Sequence, residues 1–126
     1  MGEVRPRPLV LDAGALIALE RGDRRVVRLL ELAGEIHVPA AVVGQVWRNP
    51  ARQVRIVRLL AVAEVDVDVL DAEVAKAAGQ LCGASGTSDV IDATVVLAAK
   101  LHDAVIVSSD EGDLRRIDPA IDVVRC

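Results

Sequence analysis

Short apolar runs alternate along the chain with longer segments in which apolar and polar positions are mixed. The run at residues 9–11 is apolar at every position, which is typical of a strand buried on both faces of a parallel sheet. Residues 64–70 instead alternate valine with aspartate, which predicts a strand with one solvent-facing side near the edge of the sheet. The pattern predicts strands at 9–11, 35–38, 64–70, 104–107 and 121–124, and helices at 13–20, 24–33, 40–48, 51–63, 71–79, 89–101 and around residue 114. Strands that alternate with helices predict a three-layer α/β/α fold around a parallel sheet.

The length and amino-acid composition of the chain narrow the classes of function that it can have. The 126 residues are enough for one domain, which we expect to span residues 1–126. Apolar residues make up 52% of the chain but aromatic residues only 1%, with Trp47 as the sole example, so we do not expect nucleic acid to be bound by stacking of bases on aromatic rings. No apolar run approaches the roughly 18 residues of a membrane span, which predicts a soluble, cytoplasmic protein without a membrane partner.

The net charge of −4 conceals an uneven distribution of charged residues. Residues 21–58 contain eight arginines and three acids, a balance of +5, whereas residues 59–126 contain five basic and thirteen acidic residues, a balance of −8. A basic region beside an acidic one suits a protein that contacts a phosphate backbone through arginines and cleaves it with a metal held by carboxylates. The alternative interpretation is that the arginines only solvate two surface helices.

Three aspartates occupy positions where a side chain can take part in chemistry. Asp12 ends the first strand and Asp110 follows the fourth, so both are expected at the carboxyl edge of the sheet, where open α/β proteins bind ligands. Asp92 lies inside the apolar run 90–97, where an unpartnered charge is costly. Gathered carboxylates repel one another unless a hard cation lies among them, which points to Mg²⁺ or Mn²⁺. Asp12 has a simpler alternative role as the N-cap of the next helix.

Two further acids and a glycine-rich segment admit structural interpretations. Asp89 lies three residues before Asp92 and shares its helix face, but it can equally cap that helix. Asp113 lies three residues after Asp110, in a sequence that favours a turn or a cap. The segment 83–88 is only superficially like a phosphate-binding loop, because no Gly-Lys-Ser/Thr follows it, and we expect a flexible connection there.

Four segments occur in a characteristic order. They are Val-Leu-Asp-Ala-Gly-Ala-Leu-Ile-Ala-Leu at 10–19, Val-Pro-Ala-Ala-Val-Val-Gly-Gln-Val at 38–46, Asp-Ala with its small-residue helix at 92–99, and Val-Ser-Ser-Asp-Glu-Gly-Asp-Leu at 107–114. With this order and spacing, nearly the whole chain resembles the PIN domain, and most closely the VapC-type ribonuclease toxins of bacterial toxin–antitoxin pairs. The resemblance implies a five-stranded parallel sheet in the order 3-2-1-4-5. It also implies Mg²⁺- or Mn²⁺-dependent cleavage of single-stranded or structured RNA, a homodimer, and a cognate antitoxin that neutralises the activity.

The resemblance also implies roles for individual residues. Asp12 corresponds to the family's first acid, Asp92 to its third and Asp110 to its fourth, so all three are expected to bind the metal and to be catalytic. Asp89 is a second candidate for the third position. The family's second acid, ordinarily glutamate, falls at Gln45, which can contact a metal or its water but carries no charge and cannot act as a base. Supporting positions are Ser109 and Asp113, and contacts to RNA or antitoxin are expected from Arg48, Arg52 and Arg55.

Three functions remain open on this basis. The first is a metal-dependent endoribonuclease toxin. The second is a non-catalytic or weakly active PIN-like module that binds RNA or a protein partner, for which Gln45 is the sign. The third is a receiver with a phosphorylatable aspartate, which fits the topology but not the residues, because the second half of the chain offers only Lys76 and Lys100 and neither directly follows a late strand.

Overall fold

A computed structural model describes residues 6–126. The strands are β1 (Leu9–Leu11), β2 (Ile36–Pro39), β3 (Val65–Asp68), β4 (Val105–Ser108) and β5 (Val123–Arg125). The helices are α1 (Ala13–Glu20), α2 (Arg24–Leu32), α3 (Ala40–Val46), α4 (Val54–Leu60), α5 (Ala72–Ser85), α6 (Val90–His102) and α7 (Glu111–Ile117). The strands pair in parallel in the order β3-β2-β1-β4-β5, which confirms the predicted fold class and strand order. It also confirms that the valine–aspartate strand lies at an edge.

The centre of the sheet is apolar on both faces. All three residues of β1 are buried, and β1 pairs with β2 on one side and with β4 on the other. Helix α6 packs against β1 and β2 and buries Ala93, Thr94, Val95, Val96, Ala98 and Ala99. Helices that connect parallel strands run back across the sheet, so the N-terminal end of α6 lies at the carboxyl edge of the strands. This packing brings the first turn of α6 towards the end of β1.

The predicted helix at 51–63 is wrong at both ends. Residues Pro50–Arg52 form a separate 3-10 turn, and α4 begins only at Val54. The cause is Gln53, whose side chain accepts hydrogen bonds from the N–H groups of Arg48 (3.0 Å) and Asn49 (3.1 Å) and donates to a carbonyl at the end of α3 (2.7 Å). These bonds satisfy the end of α3 and hold the Gln53 backbone outside the helical region, at φ −123° and ψ 46°.

The predicted helix at 71–79 is too short, and the predicted flexible connection at 83–88 is partly wrong. Helix α5 continues to Ser85 because Ala78 and Cys82 are buried on its inner face, which outweighs the low helix propensity of its glycines. It ends at Gly86, whose left-handed backbone (φ 71°) is favourable for glycine. Within residues 6–126 no single helix is long and apolar enough to cross a membrane; α5 and α6 satisfy length and composition only together, as a pair bent by 104°.

Candidate active site

Asp12 lies at the carboxyl end of the central strand and is only 5% exposed. Its Oδ1 accepts a hydrogen bond from the N–H of Ala15 at 2.9 Å, so the predicted N-cap role in α1 is confirmed. Burial raises the pKa of the Asp12 carboxyl, and the Asp110 carboxylate adds to the rise, whereas the hydrogen bonds from Ser108 and Ala15 oppose it. Asp12 therefore begins a helix and also presents a buried carboxylate at the edge of the sheet.

Ser108, the last residue of β4, connects the ends of two strands. Its buried hydroxyl donates a hydrogen bond to Asp12 Oδ2 and accepts one from the backbone N–H of Asp110 at 2.8 Å. The serine predicted to support the site is the next residue, Ser109, whose exposed side chain lies against Gly14. A Cβ atom at position 14 would come within 2.2 Å of Ser109 Oγ. The missed signal is that a hydroxyl at the end of a buried central strand requires a polar partner.

Asp92 occupies the first turn of α6 and is half-buried. Burial is the largest cause of a rise in its pKa to about 7, followed by repulsion from the carboxylates of Asp89, Asp12, Asp113 and Asp110. The electrostatic effect of four other acids on one side chain shows that the predicted acids converge on this end of α6. We refer to these five aspartates as the acid edge.

The other members of the acid edge differ in their local roles. Asp89 is the N-cap of α6, and its Oδ1 accepts a hydrogen bond from the N–H of Asp92 at 2.9 Å, so its predicted capping role is confirmed. Asp110 precedes α7 but its carboxylate makes no capping hydrogen bond, and Asp113 lies in the first turn of α7. A recess of about 540 Å³ beside these acids is lined by Thr87, Ser88, Asp89, Asp92, Asp113 and Arg116, among others.

The donor set of the acid edge fits a hard dication. Carboxylate oxygens are the protein ligands that Mg²⁺ and Mn²⁺ prefer, and a dication would offset the repulsion that raises the pKa of Asp92. Across residues 6–126, no three of these carboxylates offer ligand atoms within 4.8 Å of one another. Repulsion between ionised carboxylates favours this separation. Asp12 follows β1, Asp110 follows β4 and Asp92 lies on α6, whereas the acids that line the recess are Asp89, Asp92 and Asp113.

Gln45 is exposed on α3 and does not line the recess beside the acid edge. Helix α3 packs against α1 and α6, two of the three helices that begin at the acid edge. A polar residue on the exposed side of a helix needs no functional explanation. Its role at the site therefore remains a prediction.

The three predicted contact arginines have different surroundings. The Arg48 guanidinium donates hydrogen bonds of 2.8 and 3.1 Å to two backbone carbonyls at the end of α3. Arg55 connects α4 to the end of α1, because its guanidinium donates to the Glu20 carbonyl at 3.2 Å and its backbone N–H donates to Glu20 Oε2 at 3.0 Å. Arg52 is exposed on the 3-10 turn and lies outside α4, although the predicted helix at 51–63 included it.

The sheet order and the acid edge together define an α/β protein with a carboxylate site at the carboxyl ends of its strands. The family follows from the sequence: the PIN domain model matches residues 9–119. The chain therefore belongs to the PIN domain family, as its four segments predicted. A comparison with curated proteins finds no match.

Solved structures with the same fold include a toxin–antitoxin complex and a toxin. A toxin–antitoxin complex from Klebsiella pneumoniae contains a chain that is 19% identical, with a TM-score of 0.70 over 92% of this chain and 95% of that one. VapC20 of Mycobacterium tuberculosis, a toxin that cleaves the sarcin–ricin loop, is 17% identical, with a TM-score of 0.71 over 94% and 99%. FitAcB of Neisseria gonorrhoeae is 18% identical, with a TM-score of 0.61 over 91% and 95%. At these identities the similarity establishes the fold.

Proposed function

We propose that the protein is a metal-dependent endoribonuclease toxin of a toxin–antitoxin pair, with Mg²⁺ or Mn²⁺ held by Asp12, Asp92 and Asp110. The observation that carries the proposal is the grouping of acids from the ends of β1 and β4 and from the first turns of α6 and α7, which together with burial raises the pKa of Asp92 to about 7. Strongly perturbed groups at a ligand-binding edge favour a functional site. Membership of the PIN family and similarity to toxins support the substrate class.

Asp12, Asp92 and Arg116 would have different roles in binding the ion and the RNA. Two hydrogen bonds hold the Asp12 carboxylate in place, which is the fixed geometry that a metal ligand needs. Because the Asp92 pKa lies near neutrality, ion binding is expected to release a proton from this carboxyl. A bound dication would lower the pKa of a coordinated water and offset charge on the scissile phosphate. Arg116 lines the recess beside the acids and is suited to contact a phosphate of the RNA backbone.

The test is cleavage of labelled RNA by the purified protein with Mn²⁺. The probes are a hairpin that carries the sarcin–ricin loop, the target named for the Mycobacterium tuberculosis toxin, and mixed cellular RNA. EDTA should abolish cleavage. Asp12→Asn keeps an acceptor for Ala15 but removes one charge, and we expect cleavage to fall by about 100-fold or more. The matched control is Asp66→Asn, at an exposed acid on β3, which should cleave normally. Full activity of folded Asp12→Asn would refute the catalytic assignment.

A non-catalytic or weakly active module that binds RNA or protein is the second candidate, and Gln45 is the residue that favours it. An amide at the position of the family's second acid lowers the negative charge available to a dication. Gln45→Glu should tighten Mn²⁺ binding in calorimetric titration and increase any cleavage. Unchanged affinity would mean that position 45 does not face the ion. RNA binding without cleavage by both proteins would favour the module over the nuclease.

We also propose that the antitoxin binds a groove between α2 and α4. The groove has a volume of about 740 Å³ and combines an apolar floor with arginines and glutamates. Its lining includes Leu19, Val27, Leu30, Arg55, Arg58, Leu59 and Val62. Leu59→Glu should prevent co-purification with the product of the reading frame that precedes the gene. Leu101→Glu, on a side chain that is 78% exposed and lies outside the groove, is the control and should not.

A further inference from the structure

A second group of titratable side chains lies at the end of α6 opposite to the acid edge. It consists of Glu35 before β2, His37 within β2, Asp68 at the end of β3 and His102 at the end of α6, and we refer to it as the histidine cluster. Ten residues of α6 separate His102 from Asp92, which corresponds to about 15 Å along the helix. The histidine cluster is therefore separate from the acid edge.

One carboxylate orients both imidazoles. Asp68 Oδ1 lies 3.1 Å from His37 Nδ1, and Asp68 Oδ2 lies 2.9 Å from His102 Nε2. An ionised carboxylate only accepts hydrogen bonds, so both of these ring nitrogens carry hydrogen. This leaves His37 Nε2 and His102 Nδ1 as the nitrogens able to bind another partner. Glu35 Oε2 already lies 2.9 Å from His37 Nε2.

His37 is buried between two carboxylates. His37 is 3% exposed and has a carboxylate at each ring nitrogen. Burial lowers the pKa of His37, but the hydrogen bonds with Glu35 and Asp68 outweigh it and raise the pKa overall. Each ring nitrogen of His37 therefore faces a carboxylate oxygen, that of Asp68 at Nδ1 and that of Glu35 at Nε2.

We propose that the histidine cluster is a zinc-type metal site whose ligands are Glu35, His37 Nε2 and His102 Nδ1. Ligand atoms of these three residues lie within 4.8 Å of one another. Two imidazoles and a carboxylate form a common zinc donor set, with water as the fourth ligand. Histidines that bind metals commonly donate their other N–H to a carboxylate, and Asp68 accepts from both rings.

Binding requires a small local rearrangement. The two imidazole rings are stacked, with centroids 3.5 Å apart and planes 8° from parallel, whereas an ion is bound in the plane of each ring. The ring that turns is that of His102, because its side chain is 22% exposed and lies at the end of a helix, whereas the side chain of His37 is 4% exposed. The Glu35 side chain is 53% exposed and gives an ion access from solvent. The bound ion would join the edge strand β3, through Asp68, to β2 and α6.

The experiment is a titration of the metal-free full chain with Co²⁺, followed by ligand-field absorption, with Zn²⁺ as competitor. We expect a histidine-type cobalt spectrum that Zn²⁺ displaces, and a higher affinity at higher pH because metal ions bind the neutral form of imidazole. His102→Gln and Glu35→Gln, both at accessible positions, should lose this binding. Asp68→Asn should weaken it about 10- to 100-fold.

The matched control is Asp92→Asn, which alters carboxylate binding at the acid edge and should leave the histidine-type absorption and its midpoint unchanged. Circular dichroism would establish that each variant is folded. An unchanged spectrum in folded His102→Gln would overturn the proposal, and so would a signal lost only in Asp92→Asn. Absence of histidine-type binding at millimolar Co²⁺ would overturn it too, and would show that the cluster is only a proton-dependent clamp between β2, β3 and α6. None of these outcomes depends on RNA cleavage.

Discussion

Asp92→Asn should stabilise the metal-free protein at alkaline pH. A carboxyl whose pKa is higher in the folded than in the unfolded chain stabilises the fold while it is protonated, and this stabilisation is lost as the pH rises through the folded pKa. For Asp92 the loss runs from about pH 4 to about pH 7, because the pKa rises from 3.8 to about 7. A shift of this size corresponds to about 4 kcal/mol if it is fully expressed. The side chain is only half-buried, so screening by solvent lowers the expected effect to about 2 kcal/mol.

The assay is urea unfolding in EDTA, followed by far-UV circular dichroism. At pH 8 the free energy of unfolding of Asp92→Asn should exceed that of the wild type by about 2 kcal/mol, whereas at pH 4 the difference should shrink to less than half, because most of the wild-type side chain is then protonated in the folded state. Asp66→Asn, at an exposed acid on β3, is the control and should change stability little at either pH. A difference that is absent at pH 8, or equal at both pH values, would refute the reasoning.

Three further predictions concern other contacts. Ser108→Ala should lower the free energy of unfolding by about 1–3 kcal/mol in urea titration, because a buried carboxylate oxygen loses its donor, whereas exposed Ser109→Ala should change it by less than about 0.5 kcal/mol. Arg55→Ala should lower the melting temperature more than Arg52→Ala, because only Arg55 is bonded to the end of α1; equal melting temperatures would contradict this. The stabilisation from His37 should be present below about pH 6.5 and lost as the pH rises through its raised pKa. His37→Gln should therefore flatten the dependence of stability on pH in that range. NMR titration of the wild-type ring should give a pKa above the ordinary value.

The sequence predicted the sheet because its strands follow a simple rule. A strand such as β1 that is apolar at every position fits only between two layers, and alternation of valine with aspartate fits only an edge. The errors in the helices come from contacts across the chain. The break before α4 depends on the amide of Gln53 reaching back to α3, and the length of α5 depends on burial of Cys82. Neither contact has a signal in local propensity.

The acids of the candidate site could be predicted from the sequence, but the side chains that hold them in place could not. Asp12 and Asp92 stand out because a carboxylate in an apolar run needs a partner, and the raised pKa of each shows the cost of burial. Ser108 was missed because two adjacent serines look alike in the sequence, and only the pairing of β4 with β1 aims one of them at Asp12. The bonds between Arg55 and Glu20 could not be predicted, because they join positions 35 residues apart.

The hydroxyl of Ser108 lies between β1 and β4, each of which has a neighbouring strand on both sides. Backbone amides in such strands exchange with solvent only through the largest openings of a protein, whereas exposed turns exchange through small ones. Asp12, at the end of β1, thus belongs to the most protected part of the chain. Asp89 lies in the exposed turn between α5 and α6, so mild destabilisation should separate Asp89 from the acid edge before it affects Asp12. The site would then lose its shape through a local opening while the sheet beneath it stays folded.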